Sequence, residues 1–390
     1  MERLRVLFVT HTVIMAGANS SMLRLMLELR DNYRVEPVVL MPDVHPSYAK
    51  RNLLKSCREH GIECYSYRYF WFKGRRKNWK FYVKCLSDLL WYPRVLWKMR
   101  GKRFDIIHSN SSVFSLGALI SRVKHTSHLW HLREFGDLDF GLVSMPGRGY
   151  ERWVYRHGDV FIAISNVIKN HFSAIIPPER IETVYNGVVP PDAALVAEHN
   201  NAVVQLCMVG LLVKAKNQEE ALRAAYLLVS KYGVRNFHLS FIGYEVHPYV
   251  DELHSFVEAH GLSEYVTFMG ERDNVGLLLK GMDIGLMLSG NEAFGRVTVE
   301  YMMHGLAVIA SDTGANQEII ANGESGRIYT SGRAESLAAA IHELVTDREQ
   351  LLRLARQGRR RALELFTSER NTKEIFQIYQ SLTDGTISSN

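Results

Sequence analysis

At 390 residues, 47% hydrophobic and 23% charged, the chain is longer than one core usually serves and ordinary in globular make-up, so two domains are expected. Its four cysteines, Cys57, Cys64, Cys85 and Cys207, show neither C-x-x-C nor Cys/His ligand spacing, which argues against a disulfide framework and a structural zinc and fits a reducing compartment. The net charge of +6 is modest, and no run of eighteen apolar residues is present to span a bilayer.

In chain order, the opening MERLRVLFVTHTVIM has an apolar run that His11 interrupts, with no small-residue cleavage site after it. It reads as a buried first strand at 5–10 and not as a secretory signal. Further first-half strands are predicted at 35–41, 104–110, 129–132, 160–165 and 181–187, with helical periods between most of them. Between Trp71 and Arg103 stand eleven basic residues against the single acid Asp88, beside four of the six tryptophans, Trp71, Trp79, Trp91 and Trp97. Such a run is either a solvated loop and helix or an interfacial anchor, with cations on anionic headgroups and rings at the boundary.

After Gly187 the segment VVPPDAALVAEHNN has little periodicity and reads as the connection. The strand pattern then restarts at 205–210, 237–243, 265–270, 283–289 and 306–312. Continuous apolar strands ending in Gly, Ser or Asp imply two parallel sheets with ligand loops at their carboxyl ends, facing a cleft. The expected division is a first Rossmann-like domain at 1–190, a linker at 191–200, a second Rossmann-like domain at 201–365, and a last amphipathic helix at 366–390 returning to the first domain. No G-x-G-x-x-G follows a strand, which leaves a dehydrogenase unsupported.

The chemistry-bearing stretch is LMLSGNEAFGRVTVEYMMHGLAVIASD, from 286. The loop from Gly290 to Gly295 opens a helix from about Arg296 to His304, stopped by Gly305. Its first amides suit a diphosphate. Glu292 and Glu300, with seven residues between them, could each accept bonds from vicinal hydroxyls, one from a sugar ring and one from a ribose.

Here the sequence resembles the retaining GT-B glycosyltransferases of family 4 (glycosyl transferases group 1), which are marked by two glutamates at this spacing. Further landmarks follow in order: the loop Gly17-Ala18-Asn19-Ser20, HLREF from His131, the pieces around Ser165 and Asn186, GLLVKAKNQ from Gly210, FMG at 268–270, and NEAFGRVTVE. The resemblance implies that Glu300 binds the donor ribose and Glu292 the transferred sugar, with the amides of Ala293, Phe294 and Gly295 nearby. It implies that Lys216 contacts the diphosphate; a solvated loop lysine is the other reading. Met269 and Gly270 are expected to border the base, and Gly17 to let its loop approach the donor phosphate or acceptor. His131 matches the family's active-site histidine, although a core histidine would look alike. Asn110, Ser165 and Glu318 are weaker candidates. One departure stands out: the family usually has an arginine five residues before the lysine, and here that position is Leu211, so Lys214 or Arg296 must supply the charge or activity is lower.

Asp137-Leu138-Asp139 has the form of a metal-binding pair, but it follows HLREFG in a loop and reads as solvated acids. The expectation is therefore a glycosyltransferase without metal or other cofactor, moving a hexose-type sugar from a UDP-, GDP- or ADP-sugar to a glycan or lipid-linked acceptor, as in polysaccharide biosynthesis. The resemblance implies retention of anomeric configuration, the leaving phosphate taking the acceptor's proton. Alternatives are a phosphorylase or hydrolase on the same fold, or a degenerate nucleotide-sugar-binding protein favoured by Leu211. A nucleic-acid partner would explain the basic run alone. The expected location is cytoplasmic, peripheral on the membrane if Trp71 to Arg103 is an anchor.

Overall fold

The computed structural model describes residues 3–15, 17–43, 52–67, 72–74, 79–145 and 147–385, with backbone alone at 80–82 and 84–89. The chain forms two compact units, one of Met1–Gly187 with Ser368–Asn390, the other of Val188–Thr367.

The first unit holds β1 (Leu4–Val9), β2 (Val35–Pro42), β3 (Glu63–Tyr67), β4 (Lys73–Gly74), β5 (Ile106–Ser109), β6 (Ser127–Leu132), β7 (Val143–Ser144), β8 (Val160–Ala163) and β9 (Ile181–Thr183). Seven of these form one parallel sheet, β3-β2-β1-β5-β6-β8-β9, while β4 and β7 pair antiparallel by themselves. Val6 to Val9 of β1 are fully buried, as a central parallel strand covered on both faces requires. Two helices place stripes at i, i+3, i+4, i+7 into one core with Phe8 and Val39: Gly17–Tyr33 through Met22, Leu25, Met26 and Leu29, and Ser368–Thr383 through Ile375, Ile378, Tyr379 and Leu382. Each such side chain contributes roughly 1.5–3 kcal/mol on burial, which fastens the last helix of the chain to the first sheet.

The basic aromatic run divides. Phe72 and Lys73 are core residues and not surface anchors: the Lys73 side chain is 6% exposed, its ammonium lies 2.7 Å from Glu151 and 5.3 Å from the Phe172 ring centre. Burial opposes that charge, yet Tyr155 and Glu151 outweigh it and hold the ammonium above its ordinary range. The helix Trp79–Met99 instead exposes Trp79, Val83, Leu90 and Trp97. Trp71, Arg75, Arg76 and Lys77 lie outside the described residues, as do the side chains of Lys80, Phe81, Tyr82 and Lys84.

The second unit carries β10 (Val204–Val209), β11 (Phe237–Ile242), β12 (Val266–Phe268), β13 (Ile284–Met287), β14 (Ala307–Ser311) and β15 (Arg327–Tyr329), parallel in the order β12-β11-β10-β13-β14-β15. Both sheets are thus the parallel α/β type that the strand pattern implied. Residues 188–201 lie against this second unit: the Ala197 amide donates to the His304 carbonyl at 2.8 Å, and the His199 ring reaches Asp283 at 2.9 Å and the Gly305 carbonyl at 2.8 Å.

Candidate functional site

The site in the second unit is organised by the helix Arg296–Met303. Tyr301 seats it. A Cβ at Gly285 of β13 would come within 2.3 Å of the Tyr301 ring, so only glycine admits the ring there, and the Tyr301 hydroxyl accepts the Val209 amide at 2.6 Å. The Val299 amide is bonded to the Gly295 carbonyl at 3.3 Å. The amides of Arg296, Val297 and Thr298 precede it and have no partner within the helix, so the positive end of the helix dipole lies at the mouth of the loop.

That loop is clamped from β14. Ala315 donates its amide to the Glu292 carbonyl at 2.9 Å, and Gly314, at φ 58°, lies so close that a Cβ would stand 2.4 Å from the same oxygen. The Ser311 and Thr313 hydroxyls both donate to the Ser289 carbonyl at 3.0 Å. Phe294 is buried edge-on against Phe366, with ring centres 5.9 Å apart.

On this frame the sequence-selected residues assemble. Lys216 Nζ donates to Glu292 Oε2 at 2.9 Å, and Arg296 Nε to Glu300 Oε1 at 2.9 Å. The loop carrying Lys216 is tied to the end of β13 by Asn217, whose side-chain amide donates to the Leu288 carbonyl at 2.8 Å. Lys216 is therefore paired with Glu292 in the loop, and Glu300 with Arg296 on the helix that follows Gly295. Met269 and Gly270 follow β12; the Gly270 carbonyl accepts the Gly243 amide at 3.0 Å, and a Cβ at Gly243 would overlap the Gly210 carbonyl at 1.9 Å. The ends of β10, β11 and β12 are thus a glycine floor on which a ligand can rest against backbone. Leu211 is exposed, and Lys214 turns to Glu252 at 3.1 Å. Of the two cations considered as substitutes, Arg296 is the one on the first residue of the site helix. Glu318 lies in the short helix Asn316–Ile319, where its carbonyl accepts from Arg361 at 2.9 Å.

In the first unit, His131, the last but one residue of β6, is fully buried beside His108 and Arg133, and the Tyr379 hydroxyl meets His108 from its other side. Asn110 is not a simple turn cap: it accepts from Arg133 Nε at 2.5 Å and donates to the Ala18 carbonyl at 3.3 Å. Asn186 accepts from Arg133 Nη1 at 2.8 Å. Gly17 starts its helix exposed, with open space where a side chain would stand. Ser165 caps the helix Asn166–Phe172, accepting the Ile168 amide at 3.3 Å.

Of the two acids read as solvated, Asp137 is exposed as expected and Asp139 is not. Asp139 is half-buried, and its two carboxylate oxygens accept the Phe135 amide at 3.0 Å and the Gly136 amide at 2.7 Å; Asp137 pairs with His171 at 3.1 Å. The acid closes a tight turn after β6. Burial pushes the Asp139 carboxyl up despite those amides. The sequence reading missed Gly314, His108 and Tyr379. Gly314 sits in the T-G-A turn after a strand; Tyr379 carries no local signal at all.

Two family models match the chain: Glycosyltransferase Family 4 over residues 15–190 and Glycosyl transferases group 1 over residues 196–361. EpsD of Bacillus subtilis (strain 168), a glycosyltransferase by name, is 30% identical over 303 residues, 72% of this chain and 77% of its own. The lipopolysaccharide core biosynthesis mannosyltransferase LpcC of Rhizobium leguminosarum bv. viciae is 25% identical over 293 residues, 68% of this chain and 82% of its own. Among solved structures, HepE of Anabaena in complex with UDP superposes with TM-score 0.80 at 19% identity, over 97% of this chain and 100% of that one. A glycosyltransferase from Rickettsia africae ESF-5 superposes with TM-score 0.82 at 18% identity, over 98% and 99%.

Proposed function

The chain belongs to the family 4, group 1 glycosyltransferases and has their GT-B fold, and from that premise we propose that it transfers a hexose-type sugar, with retention and without a metal, from a nucleoside-diphosphate donor to a glycan or lipid-linked acceptor. The observation carrying this reading is the Lys216–Glu292 bond at the mouth of the Arg296–Met303 helix. It joins a cation suited to a diphosphate with a carboxylate suited to sugar hydroxyls, beside amides that need an anion. Breaking the anomeric C–O bond leaves negative charge on the diphosphate and positive charge on the ring. Lys216 and the helix amides meet the first, and fixed dipoles need no reorganisation as the charge develops. The acceptor oxygen forms the new bond to the anomeric carbon, and its proton passes to the leaving phosphate. Glu300 takes the ribose hydroxyls. The UDP named with HepE supports a uridine donor, and the sugar-transferring names of the relatives support a glycan acceptor.

The enzyme works, in this reading, at an anionic lipid surface. The support is the helix Trp79–Met99, where Trp79, Val83, Leu90 and Trp97 are 70%, 57%, 81% and 58% exposed at successive spacings that keep one face. Arg94 and Arg100 lean over the Trp91 and Trp97 rings beside that stripe. Among the described residues no helix is long and apolar enough to cross a membrane. The test of the core proposal is calorimetric binding and nucleoside-diphosphate release with UDP-, GDP- and ADP-sugars. Affinity for none of them would end it, binding without any turnover would favour a degenerate binding protein, and phosphate-dependent turnover would favour a phosphorylase.

A further inference from the structure

The buried end of the first sheet contains a relay of three side chains from distant parts of the sequence. The Tyr379 hydroxyl lies 2.6 Å from His108 Nδ1, His108 Nε2 lies 3.2 Å from His131 Nδ1, and Arg133 Nη2 lies 3.3 Å from that same His131 nitrogen. His108, His131 and Tyr379 are fully buried, and Arg133 is nearly so.

The proton positions follow by elimination. A guanidinium can only donate, so His131 Nδ1 is an acceptor. The His108 Nε2 contact to that acceptor then requires a proton on His108 Nε2. Burial first, and Arg133 second, hold both imidazoles well below their ordinary range, so each ring carries one proton. His108 Nδ1 is consequently bare and takes the Tyr379 hydroxyl proton as its hydrogen bond; that phenol stays protonated, because burial raises it well above its usual value. His131, bare at Nδ1, must carry its own proton on Nε2. This last atom is buried and has no hydrogen-bond partner among the described residues. A buried donor left unsatisfied at the end of a fully satisfied chain is rare in native proteins and marks a place where a ligand atom completes the set.

We propose that Arg133 and His108 are positioning residues for His131: both donate to its Nδ1 and so fix it as the neutral Nε2–H tautomer, with a single N–H donor for an oxygen of the substrate, while Tyr379, donating to His108 Nδ1, holds the His108 ring in that role. Arg133 is itself aimed by Asn110 and Asn186. The helix Ser368–Thr383 supports the arrangement through the Tyr379 hydroxyl on His108. This inference rests on the reading of His131 as a substrate contact, and its test separates the two.

The test uses the full-length protein with ¹⁵N-labelled histidine rings, the His131 and His108 signals being assigned by loss in His131→Gln and His108→Leu. Long-range ¹H–¹⁵N spectra of the wild type should show both rings neutral and protonated at Nε2. Tyr379→Phe removes one oxygen and keeps the core ring. It should leave both rings protonated at Nε2, because Arg133 still donates to His131 Nδ1, shift the His108 Nδ1 resonance that loses its hydrogen bond, and lower kcat for UDP-glucose turnover while the Kd for free UDP stays within twofold. His108→Leu, which removes the donor to His131, should lower kcat at least as far, and it serves as the second variant should Tyr379→Phe misfold. A wild-type His131 ring protonated at Nδ1, or a Tyr379→Phe protein with unaltered imidazole spectra, overturns the relay whatever the donor proves to be. Full activity in His131→Gln would instead sink the reading of His131 while the spectra still decide the relay.

Discussion

Lys216 Nζ lies 2.9 Å from Glu292 Oε2, so the ammonium expected at the diphosphate and the carboxylate expected at the sugar hold one another before any ligand arrives. Each change then harms both functions. Lys216→Ala should slow UDP-sugar turnover by about 10²–10³, the usual loss for one donor to a developing anion, and Glu292→Gln should also slow it. Because the two touch, the double variant should lose less than the product of the single losses. Turnover within twofold of wild type in both single variants would place the chemistry elsewhere.

Glu300 is held by Arg296 at 2.9 Å on one turn of the site helix. Replacing it by alanine removes a charged acceptor for ribose hydroxyls, a loss of roughly 1.5–3 kcal/mol. The Kd for UDP measured by calorimetry should rise about tenfold to a hundredfold, with the melting temperature little changed since the carboxylate is partly exposed. Equal loss of affinity for a 2′,3′-dideoxyribose analogue would show that Glu300 does not meet those hydroxyls.

The first unit should be the acid-sensitive one. Burial holds His108 and His131 well below the ordinary imidazole range and His128 at about 3. Unfolded, each returns to about 6.5. Below that value the unfolded chain binds protons that the folded chain refuses, so stability is complete above pH ~6.5 and declines as pH falls, by up to about 1.4 kcal/mol per pH unit for each histidine. The urea midpoint should drop between pH 7.5 and 5.5, less steeply in His128→Gln. A pH-independent midpoint over that interval would contradict these buried neutral rings.

The sequence announced the sheets wherever a strand was a continuous apolar run: residues 205–210 and 306–312 of the reading meet Val204–Val209 and Ala307–Ser311 in the structure. It passed over β3 and β15, Glu63–Tyr67 and Arg327–Tyr329, because edge strands are short and carry polar residues that leave no period to detect. The Glu292 loop and its helix were legible since cap glycine, acids and apolar face fall within one local stretch. Tyr379 was not: its partner His108 is 271 residues away, and a tyrosine on an apolar helix stripe looks like core until the fold places its hydroxyl. Lys73 misled for the same reason, a basic neighbourhood hiding a buried ion pair with Glu151.

Turnover should persist in excess chelator. The diphosphate in the proposed site is met by Lys216 and helix amides, and the Asp-x-Asp sequence is otherwise engaged, with both Asp139 oxygens on the Phe135 and Gly136 amides. Asp139→Asn should therefore lower the melting temperature, losing a buried acceptor for about 1–3 kcal/mol, more than it alters kcat at a permissive temperature. Complete loss in chelator that magnesium or manganese restores would return Asp137 and Asp139 to the ligand role.

The exposed stripe on Trp79–Met99 gives the last expectation. Water-facing Trp79, Leu90 and Trp97 gain nothing from their exposure in an isolated protein, whereas aromatic rings at a lipid boundary bury area while Arg94 and Arg100 meet headgroup phosphates, each basic residue adding about 1 kcal/mol near an anionic surface. Vesicles of phosphatidylglycerol and phosphatidylcholine should therefore co-sediment the protein, more at low salt than at high. Trp79→Ser with Trp97→Ser should weaken sedimentation at every salt concentration, because it removes the insertion term. Arg94→Gln with Arg100→Gln should weaken it chiefly at low salt, because it removes the screened term. Neither pair should alter the Kd for UDP, which belongs to the second unit in the proposed site. Absence of any salt-sensitive sedimentation by the wild type would defeat the membrane proposal and make a water-soluble glycan the acceptor to test next.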